Sequence, residues 1–340
     1  GSIGEARGVR RLLNVHKVDI LLNSSHEYDQ YRDTLLKRIK FMKKPLLPSV
    51  HGGSVDPELG GVGAEPLFRG SPMDTAQSTA AMLHLSETGK QRIVIVSTTL
   101  KGHEQQRDAA IKAAERLNLT VAGTVNIQPT WTDYTSVVRK VGRMEPDAVV
   151  VLSAPYNGGL FVRNAADAGY SWTIVGTTEW QEIDFVQTAG ENALAFHESV
   201  VLSAYAYAES PAWEFYRQAV AASPQANVIG DAANSYAMQY YDLLVLTALA
   251  LEKAGSVNSD SWASAMHTVS SGKGQIVHTY AEGIAALRAG KEINYEGVTG
   301  SMEYSKTGVV SGLFGIFSWS GGQLKRISTA DGDRVAELDL

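Results

Sequence analysis

The chain has 340 residues, of which 44% are apolar, and its 30 basic and 36 acidic residues give a net charge of −6 at pH 7. This size allows a large core, which at such a length usually splits into two lobes. The acidic balance, spread along the chain, predicts no nucleic-acid partner. The lack of cysteine excludes disulfides, thiol catalysis and cysteine-based metal sites.

Short β-branched apolar runs alternate with amphipathic ones along the first two thirds of the chain. The runs that predict strands cover residues 18–22, 45–50, 92–97, 120–126, 147–153, 173–176 and 198–203. The helix patterns between them cover residues 27–42, 75–88, 105–117, 132–144 and 158–168. Continuous apolar strands separated by helices indicate parallel sheets covered on both faces, so we predict a doubly wound α/β fold.

The βα rhythm breaks after residue 203. Residues 212–221 and 231–253 predict helices, the second of them long and rich in aromatics, and residues 301–327 predict short strands with glycine turns. The break suggests that the chain returns to its first lobe. We therefore expect one lobe to comprise residues 1–86 and 204–295, and the other to comprise residues 87–203 and 296–340.

Polar and aromatic residues follow several predicted strands directly, where open α/β sheets bind their ligands. The residues at these strand ends are Ser24, Ser25, His51, Gly52, Lys101, Tyr156, Glu179 and Trp180. A charged group of a small ligand that enters a closed site loses water and then needs a partner. We expect Glu179 to meet a cationic group, and Tyr156 or Trp180 to cover an apolar or aromatic part of the ligand.

Each of these residues also has a purely structural interpretation. Ser24 or Ser25 would cap the helix that starts near residue 27, and such a cap is compatible with ligand contact. His51 would point to solvent from its glycine turn, and Glu179 would sit in a solvated loop or form a salt bridge between the lobes. The two aromatic side chains would pack at a lobe edge.

Enzyme signatures are weak in this sequence. The HisGlu pairs at residues 26, 103 and 197 lack the second histidine of a zinc protease motif. The HGG at residues 51–53 resembles an esterase oxyanion loop, but the chain has no GxSxG. The GGVGAE and SGKG stretches lack nucleotide-binding spacing, and the eight histidines lack ligand spacing. We therefore predict no catalytic residue, no metal site and no cofactor.

An ordered set of segments resembles the extracytoplasmic solute-binding proteins of branched-chain amino acid ABC transporters, which have a type I periplasmic-binding fold. The segments include VDILLNSS, PLFRGSPMDTAQSTAAMLHL, LFVRNAADAGY, IVGTTEW, YDLLVLTALALEKAGS and INYEGVTGSMEYSKTG. The resemblance runs from about residue 5 to residue 327. It implies two lobes joined by a hinge of crossing segments that close over a small ligand, without catalysis. It also implies a membrane permease as partner and a periplasmic or extracellular location after removal of a signal peptide.

The resemblance assigns roles to individual residues. Ser24 or Ser25 would receive the ligand carboxylate together with groups at Val50, His51 and Gly52, and Glu179 would bind the α-ammonium group. Many relatives have Tyr-Gly where this chain has Lys101 and Gly102, so a ligand other than leucine or valine, including one with a second acidic group, stays open.

Two further expectations follow from the resemblance. Relatives begin with a strand, a helix and a strand that have no counterpart here, so we expect the first lobe either to re-pair its strands or to form a homodimer over the exposed sheet edge. The alternative function is a ligand-sensing or regulatory module of the same fold, with a hydrolase as a distant third.

Overall fold

The chain folds into two compact units in the computed structural model, which describes residues 2–22, 28–49, 66–229, 231–305, 308–310 and 312–339. Unit 1 comprises Gly1–Met73 and Tyr207–Gly312, and unit 2 comprises Asp74–Ala206 and Leu313–Leu340. These boundaries differ from the predicted ones. The helix at 74–87 and residues 204–206 belong to unit 2, because they pack there, and residues 296–312 belong to unit 1.

The helices alternate with strands in the first two thirds of the chain and follow one another more closely after residue 210. Their bounds are α1 Ser2–Arg11, α2 Tyr28–Met42, α3 Asp74–Glu87, α4 Lys101–Arg116, α5 Thr135–Gly142, α6 Pro155–Asp167, α7 Ile183–Ala189, α8 Glu191–Phe196, α9 Pro211–Ala222, α10 Ala226–Ile229, α11 Ser235–Ala254, α12 Ser259–Val269, α13 Tyr280–Arg288 and α14 Gly332–Asp339. A π-helical turn, Leu12–His16, extends α1, and a 3-10 turn, Thr178–Gln181, precedes α7. Across the ranges that the structure describes, none of the helices is long and apolar enough to cross a membrane.

The strands are short and pair mostly in parallel. Their bounds are β1 Leu47–Ser49, β2 Leu67–Arg69, β3 Arg92–Thr98, β4 Thr120–Ile127, β5 Ala148–Leu152, β6 Thr173–Gly176, β7 Ser199–Tyr205, β8 Gln275–Val277, β9 Ile293–Gly297, β10 Gly300–Ser301, β11 Phe314–Ser320 and β12 Gln323–Ala330. The sheet of unit 2 has the order β12-β11-β7-β6-β5-β3-β4, in which β11 and β12 are antiparallel to their neighbours. The doubly wound α/β prediction is confirmed.

Unit 2 buries both faces of its inner parallel strands, and the sequence shows why. Along β3, Val94 and Val96 join the hydrophobic cluster on one face, whereas Ile93 and Ile95 join the cluster on the other. Successive side chains of a strand point to opposite faces, so a strand covered on both sides has no polar alternation. A continuous apolar run such as that of β3 therefore marks a strand that lies between two helix layers.

Unit 1 has a parallel β1–β2 pair and a small sheet of β8, β9 and β10. Its main core forms around α11 and α12, with Leu243, Leu246, Trp262 and Met266 fully buried. The strand predicted at residues 18–22 is reduced to a single parallel bridge between Ile20 and Leu46.

Asp242, in the middle of α11, is completely buried in unit 1. Its carboxylate accepts hydrogen bonds from the Tyr295 hydroxyl at 2.9 Å, from the backbone N–H groups of Val298 and Thr299 at 2.8 and 2.9 Å, and from the Thr299 hydroxyl at 2.8 Å. A Cβ atom on Gly297 would lie 2.4 Å from this carboxylate. Burial raises the pKa of the Asp242 carboxyl, and the four donors act in the opposite direction. The side chain thus ties α11 to the turn after β9, within the INYEGVTG segment.

Candidate functional site

The carboxyl ends of the parallel strands of unit 2 lie along one edge of its sheet, which we call the carboxyl edge. β3, β5 and β6 run side by side in parallel, so the loops after Thr98, Leu152 and Gly176 leave the sheet at this edge. Ligands of open α/β sheets bind beyond such ends. The structure brings four predicted site residues to these loops or to the helix starts that follow them: Lys101, Tyr156, Glu179 and Trp180.

The two threonines after β6 are buried, and their hydroxyl groups hold the loop in place. The Thr177 hydroxyl donates to the backbone oxygen of Ser153 at 3.2 Å, and the Thr178 hydroxyl donates to that of Ser203 at 3.2 Å. The Gln77 amide donates to the same Ser203 oxygen at 2.7 Å and to the Thr178 hydroxyl. Because buried polar groups need such partners, the threonines join the loop to the ends of the neighbouring strands.

Glu179 lies in the 3-10 turn with its side chain 41% exposed. Its Oε1 atom is 3.6 Å from Nε2 of His103, a buried residue in the first turn of α4. The other ring nitrogen, Nδ1, is 2.6 Å from the Thr98 hydroxyl. When that hydroxyl donates to Nδ1, the imidazole proton resides on Nε2 and faces the carboxylate. The Glu179 carboxylate therefore lies close to a buried imidazole, while its side chain stays partly open to a ligand.

Two more carboxylates, Glu182 and Asp184, follow Glu179 in the chain. Burial raises the pKa of Glu182, and the negative charges of Asp184 and Glu179 raise it further. The pKa rises further because the nearby negative charges disfavour the ionised form of Glu182. The loop therefore favours a cationic group over an anionic one.

Trp180 is fully buried in the core of unit 2, beneath this loop. Its indole stacks on Phe185 with 4.4 Å between ring centroids, and its Nε1 donates to the Ser153 oxygen at 3.1 Å. Cβ atoms on Gly158 and Gly176 would lie 2.2 and 2.1 Å from the indole ring, so both positions need glycine. The side chain was predicted to cover a ligand, but it supports the Glu179 turn from inside the core.

Lys101 is exposed at the start of α4, and Tyr156 is 48% exposed at the start of α6. The structure adds an aromatic residue that the sequence analysis missed. Trp131 is 43% exposed in the loop after β4 and lies 6.2 Å, between ring centroids, from Tyr134. Asn157 fixes that loop by donating to the Tyr134 hydroxyl at 2.8 Å and to the Pro129 oxygen at 3.0 Å. The position of Trp131 after an apolar strand was the available signal.

The predicted site residues of unit 1, Ser24, Ser25, Val50, His51 and Gly52, lie outside the described residues. Among the residues that the structure does describe, no group of three histidine, aspartate or glutamate side chains is arranged to hold a metal ion.

Solved structures share this fold at low sequence identity. A leucine-binding protein, LivK, from Thermotoga maritima aligns over 98% of this chain and 85% of its own, with 14% identity and a TM-score of 0.77. The branched-chain amino acid transporter substrate-binding protein LivJ from Streptococcus pneumoniae, in complex with isoleucine, aligns over 97% and 84%, with 16% identity and a TM-score of 0.72. An ABC transporter solute-binding protein from R. palustris, in complex with benzoate, aligns over 97% and 82%, with 14% identity and a TM-score of 0.71.

No curated protein matches this sequence at a significant level. Residues 4–303 match the family described as periplasmic binding protein, which is most of the chain. The doubly wound sheet of unit 2 and the ordered segments of the sequence agree with that match. The chain therefore belongs to the periplasmic binding protein family, whose members bind solutes and are not enzymes.

Proposed function

We propose that the protein is the solute-binding component of an ABC transporter and that its solute is a small amino-acid-like molecule whose ammonium group pairs with Glu179. The observation that carries the proposal is the partly exposed Glu179 carboxylate on the carboxyl edge, which lies 3.6 Å from buried His103. The acidic neighbours of Glu179 strengthen the preference for a cation at this loop.

Desolvation makes such a pairing necessary. An ammonium group that leaves water without a partner costs several kcal/mol, and an oriented carboxylate offsets that cost. Lys101 and the positive dipole ends of α4 and α6 can attract the carboxylate of a zwitterionic solute. Both helices begin at the carboxyl edge. Exposed Trp131 and Tyr156 offer apolar surface to the remainder of the molecule.

Aliphatic and aromatic solutes are both candidates for this site. Proteins of this fold include a leucine-binding protein, one in complex with isoleucine and one in complex with benzoate. Two exposed aromatic side chains at the carboxyl edge support an apolar or aromatic body on the solute, and Lys101 supports an acidic group. Branched-chain amino acids and aromatic amino acids are therefore the first candidates.

A thermal-shift screen over amino acids, aromatic acids and amides tests this proposal. A ligand at 100 times its Kd adds about 2.7 kcal/mol to stability, which is well above the noise of the assay. We expect hits among compounds that carry both an ammonium and a carboxylate group. Glu179→Gln should abolish or sharply reduce the shift, whereas Glu115→Gln, at an exposed position near the carboxyl end of α4 and away from this loop, should leave it nearly unchanged. Hits confined to acids without an amine would contradict the proposed role of Glu179.

We propose a membrane permease as the partner and an extracytoplasmic location, which family membership supports. A ligand-sensing module of the same fold is the alternative. Stimulation of a permease's ATPase by the loaded protein, reconstituted in vesicles, would favour transport, and its absence with every candidate permease would favour sensing.

We also propose that the open edge of unit 1 supports a homodimer. Ile20 pairs with Leu46 through hydrogen bonds from the Leu21 N–H to the Leu46 oxygen and from the Leu46 N–H to the Asp19 oxygen. Within the described part of unit 1, no strand pairs with the other side of Ile20, and 38% of the residue is exposed. An unpaired edge is a template for another strand. Light scattering after size exclusion should show a dimer that Ile20→Lys weakens; a monomer at all concentrations would refute it.

A further inference from the structure

A pocket of about 420 Å³ lies within unit 2, away from the carboxyl edge. Its walls include Ser199 and Val200 at the start of β7 and Ser320 at the end of β11. β7 runs parallel to β6, whose carboxyl end leads into the Glu179 turn. The start of β7 therefore lies at the opposite edge of the same sheet, and the pocket is a separate site. Its size falls in the range of small-molecule pockets.

The walls of this pocket are held by hydrogen bonds within the protein. The Trp319 indole N–H donates to the backbone oxygen of Trp180 at 2.9 Å, which fixes the ring in place. The Ser318 hydroxyl donates to the Val200 oxygen at 3.2 Å and ties β11 to β7. Gly321 and Gly322 form the two-residue turn between β11 and β12, with φ values of 59° and 72° that favour glycine. The pocket is thus formed before any ligand arrives.

The charge at the pocket is negative once its internal pairs are counted. Glu198 pairs with Lys90 at 2.5 Å, and this hydrogen bond lowers the pKa of the Glu198 carboxyl. His197 is buried, which lowers its pKa, and both of its ring nitrogens are engaged within unit 2. Glu191 lines the pocket, is exposed, and has no cationic partner among the described contacts.

We propose that this pocket binds a compact organic cation, an ammonium group on an apolar body. Glu191 supplies the negative charge, and the fixed indole of Trp319 supplies an aromatic wall, which attracts cations through its π face. Leu194 and Val186 line the same pocket and contact the apolar body. A neutral molecule of the same shape gains only the apolar contact, and an anion is repelled by Glu191.

Fluorine NMR of protein that carries fluorotryptophan tests the proposal directly, with phenethylammonium as probe. The resonance of Trp319, assigned by Trp319→Phe, reports on this pocket. Because the Trp319 indole also donates to the Trp180 oxygen in the Glu179 turn, a Glu179 variant is needed to separate the two sites. We expect a saturable shift of that resonance with phenethylammonium, a weaker one with phenylethanol and none with phenylpropanoate. Glu191→Gln should weaken binding about fivefold, the effect of a partly solvated charge pair. Glu115→Gln, on an exposed face of α4, should have no effect.

A second comparison separates this site from the proposed solute site. Glu179→Gln should leave the Trp319 response to phenethylammonium unchanged, even if it removes solute binding at the carboxyl edge. The proposal is overturned if the Trp319 resonance does not respond, if phenylethanol binds as tightly as phenethylammonium, or if Glu191→Gln binds the probe as well as the unsubstituted protein. Because Glu191 is exposed, its substitution should not impair folding, and circular dichroism verifies this.

Discussion

The buried carboxylate of Asp242 provides a quantitative prediction for unit 1. In Asp242→Asn the side chain keeps its shape but loses its charge and one acceptor oxygen. The amide nitrogen then faces groups that are themselves donors, because Oδ1 accepts from Tyr295 and Val298 and Oδ2 accepts both bonds from Thr299. At least one backbone N–H would be left buried without an acceptor.

The size of the effect follows from these contacts. Hydrogen bonds to a charged group contribute about 1.5–3 kcal/mol each, and an unsatisfied buried donor costs about 1–3 kcal/mol. Loss of two of the four bonds therefore predicts a destabilisation of about 3–5 kcal/mol, the range for breaking a buried charged pair. Thr299→Val removes a single hydroxyl bond and should cost about 1–2 kcal/mol.

Urea unfolding followed by circular dichroism measures both changes by linear extrapolation. Asp260→Asn is the matched control, because this aspartate is in the same unit, is 68% exposed and pairs with Lys43 at the surface. The control should change stability by no more than about 0.5 kcal/mol. A loss below about 1 kcal/mol for Asp242→Asn would refute the account. It would mean that the carboxyl is already protonated in the folded protein, which agrees with the direction in which burial shifts its pKa.

Further predictions concern unit 2 and pH. Gly176→Ala would place a Cβ atom 2.1 Å from the buried Trp180 ring, and urea unfolding should show a destabilisation of about 3 kcal/mol. The control Gly8→Ala meets no atom within 4 Å and should be neutral or slightly stabilising. Equal effects of the two substitutions would contradict the observed packing around Trp180. Burial lowers the pKa of His197, so the unfolded state binds a proton first as pH falls below about 6.5. Stability should therefore fall between neutral pH and about pH 5, and less steeply in His197→Gln; parallel pH profiles would refute this.

The parallel sheet of unit 2 could be predicted because its signal is local. The run RIVIVS is apolar at every internal position, and its side chains enter hydrophobic clusters on both faces of the sheet. The strand predicted at residues 18–22 forms one bridge, at Ile20, and such pairing cannot be read from the apolar run itself. β2 was not predicted, since a run as short as LFR has no periodicity. The final helix, α14, was not predicted either.

The boundaries between the units could not be predicted from periodicity. α3 belongs to unit 2 because of contacts that sequence does not reveal, such as the hydrogen bond from the Tyr205 hydroxyl to Asp74 at 3.1 Å and the bond from Gln77 to Ser203. These partners are more than a hundred residues apart in the chain. The predicted boundary followed a change of pattern, whereas the observed one follows packing.

The candidate site was predictable at the level of strand ends and not at the level of side-chain direction. Glu179 follows β6 and lies at the carboxyl edge, as its position in the chain indicated. Trp180 follows it directly, but its ring turns into the core because Gly158 and Gly176 leave room for it. His103 was not assigned to the site, since its contact with Glu179 exists only after α4 and the 3-10 turn are placed.

A thermodynamic cycle on the best amino-acid hit tests the central claim most directly. Calorimetry would give the Kd of the hit and of its N-acetyl analogue, which lacks the ammonium charge, for the unsubstituted protein and for Glu179→Gln. We expect acetylation of the ligand amine and Glu179→Gln each to weaken binding at least about tenfold, as for the loss of one partner of a desolvated charge pair. The two changes combined should weaken binding little more than either one alone. Two losses that simply add would show that the amine is bound elsewhere, and the assignment of Glu179 would fail.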